Sequence, residues 1–339
     1  PVGLVMERGL SQRILPVAVG GLLVAALLAG GWWRLPAGDA PSSGVEVRVV
    51  QANIDQRDKW SREMMSENFV RQLEMSAAPR AVPADVIVWP ETAVAYFLDR
   101  EPARRFLIAE ALPDAAYLIT GTPRMERYED GSIDLWNSVQ VIDGQGRIAA
   151  TYDKTHLVPF GEYLPMRDWL SRFGLSRFVP SDYDFSAGDS LKTVRLPALP
   201  AFSALICYEI IFPGAVTRND DRPEWIVNVT NDAWYGNTSG PHQHLTAARM
   251  RAVEEGLPVV RAAGTGISAV IDPWGRTVGE VALDAEGVID AALPRMVEGR
   301  TVYARLGDWG YGGLVAIIAL LAFSSVSVRP SGGASHRQA

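Results

Sequence analysis

The sequence predicts one α/β domain carried between two apolar spans. Short strand signals alternate with helical ones from Val45 onward, over roughly 250 residues, which is the pattern of a single α/β domain. Twenty uncharged residues lie between Arg13 and Arg34, and twenty more between Asp308 and Arg329. The composition is globular, 48% hydrophobic and 21% charged, with no low-complexity tract.

The first apolar stretch, Ile14 to Trp33, and the second, Trp309 to Val328, each match the ~20 residues a helix needs to cross a bilayer. Each carries aromatic residues at the end nearer the middle of the chain: Trp32 and Trp33 in one, Trp309 and Tyr311 in the other. That is where an interfacial belt belongs. A cleaved signal peptide is the competing reading for the first, but its apolar run is long and Trp32-Trp33-Arg34 is a poor cleavage site. Arg8 and Arg13 on one side, and Arg329 and Arg337 on the other, place both termini in the cytoplasm by the positive-inside rule. Arg34, Arg300 and Arg305 dilute the signal.

Between the spans, Ala37–Gly44 reads as a linker. Val45–Ala52 is predicted as a strand, Arg62–Ala77 as an amphipathic helix, and Asp85–Trp89 as a short buried strand stopped by Pro90. Arg104–Leu112 follows as helix and Tyr117–Thr120 as strand. Ser138–Ile142 and Ile148–Tyr152 flank Asp143-Gly144-Gln145-Gly146, a hairpin signal. Ala204–Cys207 and Trp225–Val229 are buried-strand candidates, and Leu245–Glu255 is a helix. A last hairpin, Ser268–Ile271 with Arg276–Val281, turns at Pro273-Trp274-Gly275.

Composition excludes several classes. The net charge of −7 and pI near 5.3 argue against nucleic acid as a partner. One cysteine leaves no intrachain disulfide framework and no cysteine-based zinc site. His242 and His244 lie two apart, off the spacing of a helical metal pair, so no metal and no cofactor are expected.

Three passages at predicted strand exits carry the chemistry: Trp89-Pro90-Glu91-Thr92, the run from Tyr152 through Lys154 and His156 to Glu162, and Ile206-Cys207-Tyr208-Glu209. Taken singly, Cys207 reads as a small buried hydrophobe, and Glu91 and Lys154 as surface charges. Taken together they can do acyl chemistry. A free thiol is only partly ionised at neutral pH, so a carboxylate such as Glu91 would take its proton. A lysine ammonium, Lys154, would steady the thiolate and then the oxyanion of an attacked carbonyl. Glu162 would hold that ammonium, and the Tyr208 N–H is a natural second oxyanion donor.

These three passages, in this order, resemble the carbon–nitrogen hydrolase (nitrilase) superfamily. Asn228-Val-Thr-Asn-Asp-Ala-Trp-Tyr-Gly-Asn237, the run from His244 to Glu254, and Asp272-Pro-Trp-Gly-Arg276 match as well. Within the superfamily the chain is most similar to the apolipoprotein N-acyltransferases. That likeness rests on the flanking spans, on Pro159-Phe-Gly-Glu-Tyr-Leu-Pro165, and on Val50-Gln-Ala-Asn-Ile54 with Trp60 following.

The resemblance implies a four-layer αββα sandwich flanked by transmembrane helices. It implies a triad of Glu91 as general base, Lys154 as oxyanion stabiliser and Cys207 as nucleophile. Glu162, Tyr208 and Glu209 would support them, and Trp60 would stand near the lipid entrance. The implied reaction moves an acyl chain from a phospholipid, through a Cys207 thioester, to the N-terminal amine of a diacylglyceryl apolipoprotein. The enzyme would be a monomer of the bacterial inner membrane with its catalytic domain outside the cytoplasm. A membrane-tethered amidase or nitrile hydrolase with the same triad is the alternative, and an inactive lipid-binding scaffold a third reading.

The expected division is residues 1–13, a cytoplasmic segment; 14–33, a transmembrane helix; 34–44, a linker; 45–296, the catalytic domain; 297–308, a linker; 309–328, a second transmembrane helix; and 329–339, a polar tail. The family carries more N-terminal spans than one, and this sequence starts at Pro1, so the expectation is a piece of a longer chain. Tyr96, Phe97, Trp234 and Tyr235 are candidate lid residues alongside Trp60.

Overall fold

The computed structural model describes residues 10–113, 116–166 and 184–326. The outermost predicted segments lie largely or wholly outside them: only four residues of 1–13 are described, and none of 329–339. The chain divides into two compact units, Pro1–Pro41 and Ser42–Ala339.

Among its described residues the first unit contains one helix, Leu10–Arg34. Its segment Val17–Arg34 is, by length and composition, the one helix among the described residues able to cross a membrane. The predicted C-terminal span forms the apolar helix Trp309–Val326, but its described side chains, Trp309–Leu320, are too few to meet the same criterion. Two spanning helices were expected, and one passes on length.

The second unit is built on two six-stranded sheets. Strands β1 (Ser42–Gln51), β2 (Val86–Val88), β3 (Tyr117–Arg127), β4 (Ile133–Asp143) and β5 (Ile148–Asp153) belong to the first, and β12 (Gly287–Pro294) closes it in the order β12-β1-β2-β3-β4-β5. The second contains β6 (Thr193–Leu196), β7 (Leu199–Ile206), β8 (Trp225–Thr230), β9 (Val259–Ala263), β10 (Ser268–Ile271) and β11 (Thr277–Val281), in the order β11-β10-β9-β8-β7-β6. Strands β6, β9 and β12 have no counterpart in the elements read from the sequence. β6 and β12 are short of clear alternation, β9 is a buried run of five residues, and β12 is defined by its antiparallel pairing with β1, more than two hundred residues away in the chain.

The period-2 geometry of a strand explains the layers. Val45, Val47 and Val49 of β1 face Phe202, Ala204 and Ile206 of β7 and Val227 and Val229 of β8 in one buried cluster between the sheets. The alternate residues face outward. Val50, Ile87, Leu118 and Ile142 meet Phe69 of the helix Met65–Ala77 and Ile108 of the helix Pro102–Ala111. On the far side, Leu205, Ile226, Val259 and Ala269 meet Leu245, Ala248 and Ala252 of the helix Gly240–Glu255. Helix, sheet, sheet, helix is the αββα order expected.

Strand direction then gathers the functional segments. In the first sheet β1, β2 and β3 are parallel, and two antiparallel steps return β5 to the same direction. In the second sheet β7, β8 and β9 are parallel. The segments after β1, β2 and β5 therefore leave one end of the first sheet, and those after β7 and β8 leave one end of the second. Open α/β sheets display their chemistry at such carboxyl ends.

Candidate active site

Glu91 follows β2 by way of Pro90, which ends the strand because it has no N–H for the ladder. Gly121 of β3 lies directly beneath: a β-carbon there would stand 2.5 Å from Glu91 Cα and 2.7 Å from Thr92 N. Thr92 itself takes a positive φ of 47°. The bend that sets the buried Glu91 at the strand exit thus needs both a neighbour without a side chain and a strained residue after it.

Lys154 directly follows β5, and its ammonium is almost fully buried at 1% exposure. Its Nζ donates to Glu162 Oε1 at 2.9 Å and lies 3.8 Å from Glu91 Oε1. Asn137 of β4 binds the two carboxylates together: its Nδ2 donates to Glu91 Oε1 at 2.7 Å and to Glu162 Oε1 at 2.9 Å. Glu162 Oε2 accepts from the Val158 N–H at 2.8 Å, which folds the segment after β5 back over the lysine. Burial works against the Lys154 charge, but Glu91, Cys207 and Glu162 outweigh it and hold the ammonium above its ordinary range.

Cys207 departs from the sequence reading in one respect. The strand ends at Ile206, and Cys207 begins a 3₁₀ turn, Cys207–Ile211, with φ at 49°. A side chain held at such an elbow projects from the strand end instead of continuing its pleat. Burial and the Glu91 charge push the thiol up to about 12, while Lys154 and a hydrogen bond with Thr230 pull the other way. The resting group is therefore a thiol, and a nucleophile arises only when its proton has somewhere to go.

Glu209 is an organiser of the elbow. Its Oε2 accepts from the Ile206 N–H at 2.8 Å, and its Oε1 from the Tyr152 hydroxyl at 2.7 Å, the Thr155 N–H at 2.8 Å and the His156 N–H at 3.1 Å. One buried carboxylate thus joins the exit of β7 to the exit of β5, the segments of Cys207 and Lys154. Tyr208 is half-buried and packs edge-on against Phe212, which stacks on His156.

Behind the elbow lies a second polar group. His244 Nε2 is 3.1 Å from the Cys207 carbonyl oxygen and its Nδ1 is 2.8 Å from Asp232 Oδ1. Arg261 donates to Asp232 Oδ2 at 2.6 Å. Burial opposes the Asp232 charge, yet Arg261 and His244 bring the carboxyl down to about 2. The helix bearing His242 and His244 starts at Gly240, not Leu245, so both histidines are helical.

Not every expected residue joins the cluster. Trp60 is 53% exposed at the end of the short turn Gln56–Lys59, while the neighbouring Lys59 points inward. Tyr96 packs edge-on against Phe69, with Arg104 3.4 Å over its ring, so it belongs to the outer helical layer rather than to a lid. Trp234 and Tyr235 are exposed in the turn after β8, and Tyr235 lies edge-on to His244. Asn137, Lys59 and the Asp232–His244 pair went unseen in the sequence reading. Asn137 sits mid-strand with no local signal; Lys59 is eclipsed by the adjacent tryptophan.

The chain is 42% identical over 315 residues to an apolipoprotein N-acyltransferase of Bradyrhizobium diazoefficiens, covering 91% of this chain and 58% of that one. It is 44% identical to the apolipoprotein N-acyltransferase of Agrobacterium fabrum, covering 82% of this chain and 53% of the relative. This chain therefore spans a little over half the length of these relatives. Among solved structures, an amidase of the nitrilase superfamily from Nesterenkonia superposes with a TM-score of 0.52 over 76% of this chain and 94% of its own, at 19% identity. That likeness is one of fold. The pattern of the carbon–nitrogen hydrolases runs through residues 46–301, from β1 past β12, and the chain belongs to the carbon-nitrogen hydrolase family.

Proposed function

We propose that this chain carries the catalytic part of an N-acyltransferase, with Cys207 as nucleophile, Glu91 as general base and Lys154 as oxyanion stabiliser. The convergence of these three buried groups from three separate strand exits supports the reading most strongly. The named relatives supply the substrate class.

In the first half-reaction Glu91 takes the thiol proton as Cys207 Sγ attacks the ester carbonyl carbon of a phospholipid. The carbonyl electrons move to oxygen, where Lys154 Nζ and the Tyr208 N–H receive the charge. Collapse expels the lysophospholipid oxygen, which leaves with the Glu91 proton, and a thioester remains. In the second, the N-terminal amine of a diacylglyceryl-cysteine attacks the thioester. Glu91 passes a proton from that nitrogen to the departing sulfur, and an amide results. Dividing one hard transfer into two easier ones is the advantage of a covalent intermediate.

Glu162 holds the lysine, and Glu209 holds the two segments in register. Trp60, exposed one residue from the buried Lys59, is placed to meet lipid at the mouth of the site. The apolar helices Leu10–Arg34 and Trp309–Val326 anchor the enzyme as a monomer in the bacterial inner membrane, with the sandwich on the extracytoplasmic side. Restricting both lipid substrates to that surface raises their effective concentration at the site.

Mass spectrometry of protein taken directly from membranes tests this. An acyl mass on Cys207, released by hydroxylamine, is expected, together with loss of lipoprotein triacylation when Cys207→Ser is the sole copy. Normal triacylation in that strain would overturn the reading. Amide hydrolysis without any acyl-enzyme from labelled phospholipid would favour a tethered amidase instead.

A further inference from the structure

The 32 basic residues of the chain include only three lysines: Lys59, Lys154 and Lys192. Arginine supplies almost every other cation. Lys192 is exposed, but Lys154 and Lys59 are buried at 1% and 5% exposure. Two of the three lysines thus sit where a compact, titratable point charge differs from a planar guanidinium.

Lys59 ends the turn Gln56–Lys59, whose start is capped by Asp55 accepting from the Arg57 N–H. Its Nζ donates to the Glu91 main-chain oxygen at 3.3 Å. A β-carbon on Gly264 would lie 3.7 Å from that Nζ and 3.4 Å from Asn231 Oδ1, so the ammonium reaches the exits of β8 and β9 as well. A cavity of about 10 Å3, room for one water, adjoins it between Pro90, Ala93 and Gly264. Among the described residues, Glu91 Oε2 and Asn231 Oδ1 are buried acceptors without a hydrogen-bond partner. An ammonium has three donors, and one is spent on Glu91.

We propose that Lys59 is the positioning residue of the base: it pins the Glu91 main chain and sets a positive charge opposite the Glu91 carboxylate. Lys154 is then left to serve Cys207 and the oxyanion. Burial draws the Lys59 ammonium down to about 8, against the charges of Glu91 and then Cys207, which support it. Lys59 is therefore charged below about pH 8 and loses that charge above it. Lys154, Glu162, Asp232, His244, Arg261 and Tyr235 complete the ionisable surroundings of Glu91 and Cys207. The proposal rests on the reading of Glu91 as the base for Cys207.

The test is the pH profile of Cys207 alkylation by iodoacetamide in the full chain, read by mass, which a single cysteine makes unambiguous. With Lys59→Met the acid limb should move up by about one pH unit and the rate at the wild-type midpoint should fall about fivefold, as expected for losing one close counter-charge. Lys59→Arg should keep the limb where the wild type has it, whatever its amplitude. An unmoved limb in Lys59→Met, or an Arg variant that behaves like Met, overturns the proposal. Should Lys59→Met not fold, ¹³C-lysine spectra of the wild type serve, since only three lysines contribute. One should titrate near 8 and move lower in Glu91→Gln; no such lysine, or one unmoved by that change, also overturns it. Glu91→Gln alkylating at the wild-type rate would instead sink the base reading itself.

Discussion

The Tyr152 hydroxyl donates to Glu209 Oε1 at 2.7 Å, across 57 residues of sequence, and so ties the end of β5 to the elbow that bears Cys207. Tyr152 precedes Lys154 by two residues and Glu209 follows Cys207 by two. The spacing of the Cys207 and Lys154 segments is thus held by a bond that involves neither residue.

Replacing Glu209 with Ala should therefore act on both stability and chemistry. It strands the buried Ile206 N–H and the part-buried Thr155 and His156 N–H groups, and a cost of about 1–3 kcal/mol is expected for a buried donor left unpaired. Thermal or denaturant unfolding would measure this. Glu209→Gln, which keeps one acceptor oxygen, should fold better yet form the acyl-enzyme at least about a hundredfold more slowly, since small misplacements are that costly.

Asn137 holds two carboxylates about one ammonium. Asn137→Ala removes the shared donor, leaving Glu91 and Glu162 to repel each other across Lys154. Acyl-enzyme formation, followed by mass, should fall by about ten- to a hundredfold with a stability loss of about 1–3 kcal/mol. Asn137→Asp, which adds a third negative charge, should be worse than Ala despite its similar shape.

Gly121→Ala probes the proposed base, Glu91, without altering its side chain. The new methyl would lie 2.5 Å from Glu91 Cα and 2.8 Å from the Pro90 oxygen, both backbone atoms, so the Glu91 bend must move. Overpacking of this kind costs about 1–3 kcal/mol. The rate of Cys207 acylation should drop far more than the melting temperature suggests. A variant with wild-type kinetics would show that the bend has freedom to spare.

The raised Cys207 thiol makes a signed prediction for alkaline stability. In the folded chain the thiol holds its proton up to about 12, whereas an unfolded cysteine releases it near 9. Below the unfolded value both states are protonated and the folded state keeps its full stability from this group. Between the two, the unfolded state loses a proton that the folded state retains, so stability falls as pH rises, by about 1.4 kcal/mol per unit. Cys207→Ala should flatten that slope; denaturation midpoints measured around pH 8 and pH 10 for both proteins would reveal it.

Much of the fold can be read from local pattern. Val45 to Gln51 shows its strand in a run of β-branched residues, Pro90 shows where β2 must stop, and Asp143-Gly144 shows the hairpin. Glu91, Lys154 and Cys207 could be placed at strand exits for the same reason. Propensity and hydrophobic period act over a few residues, so one stretch of chain contains all the information needed.

The tertiary structure alone decided what those exits meet. Nothing near Asn137 in the chain announces two carboxylates 46 and 25 residues away, and nothing near Lys59 announces the main chain of Glu91. Strand β12 exists because β1 offers it an edge. Cys207, read as the last residue of its strand, turned out to occupy a left-handed elbow held by Glu209 and His244. The residue types could be recognised along the chain because chemistry limits them. Their partners could not, because burial and hydrogen bonding are settled between segments that only the packing of two sheets brings together.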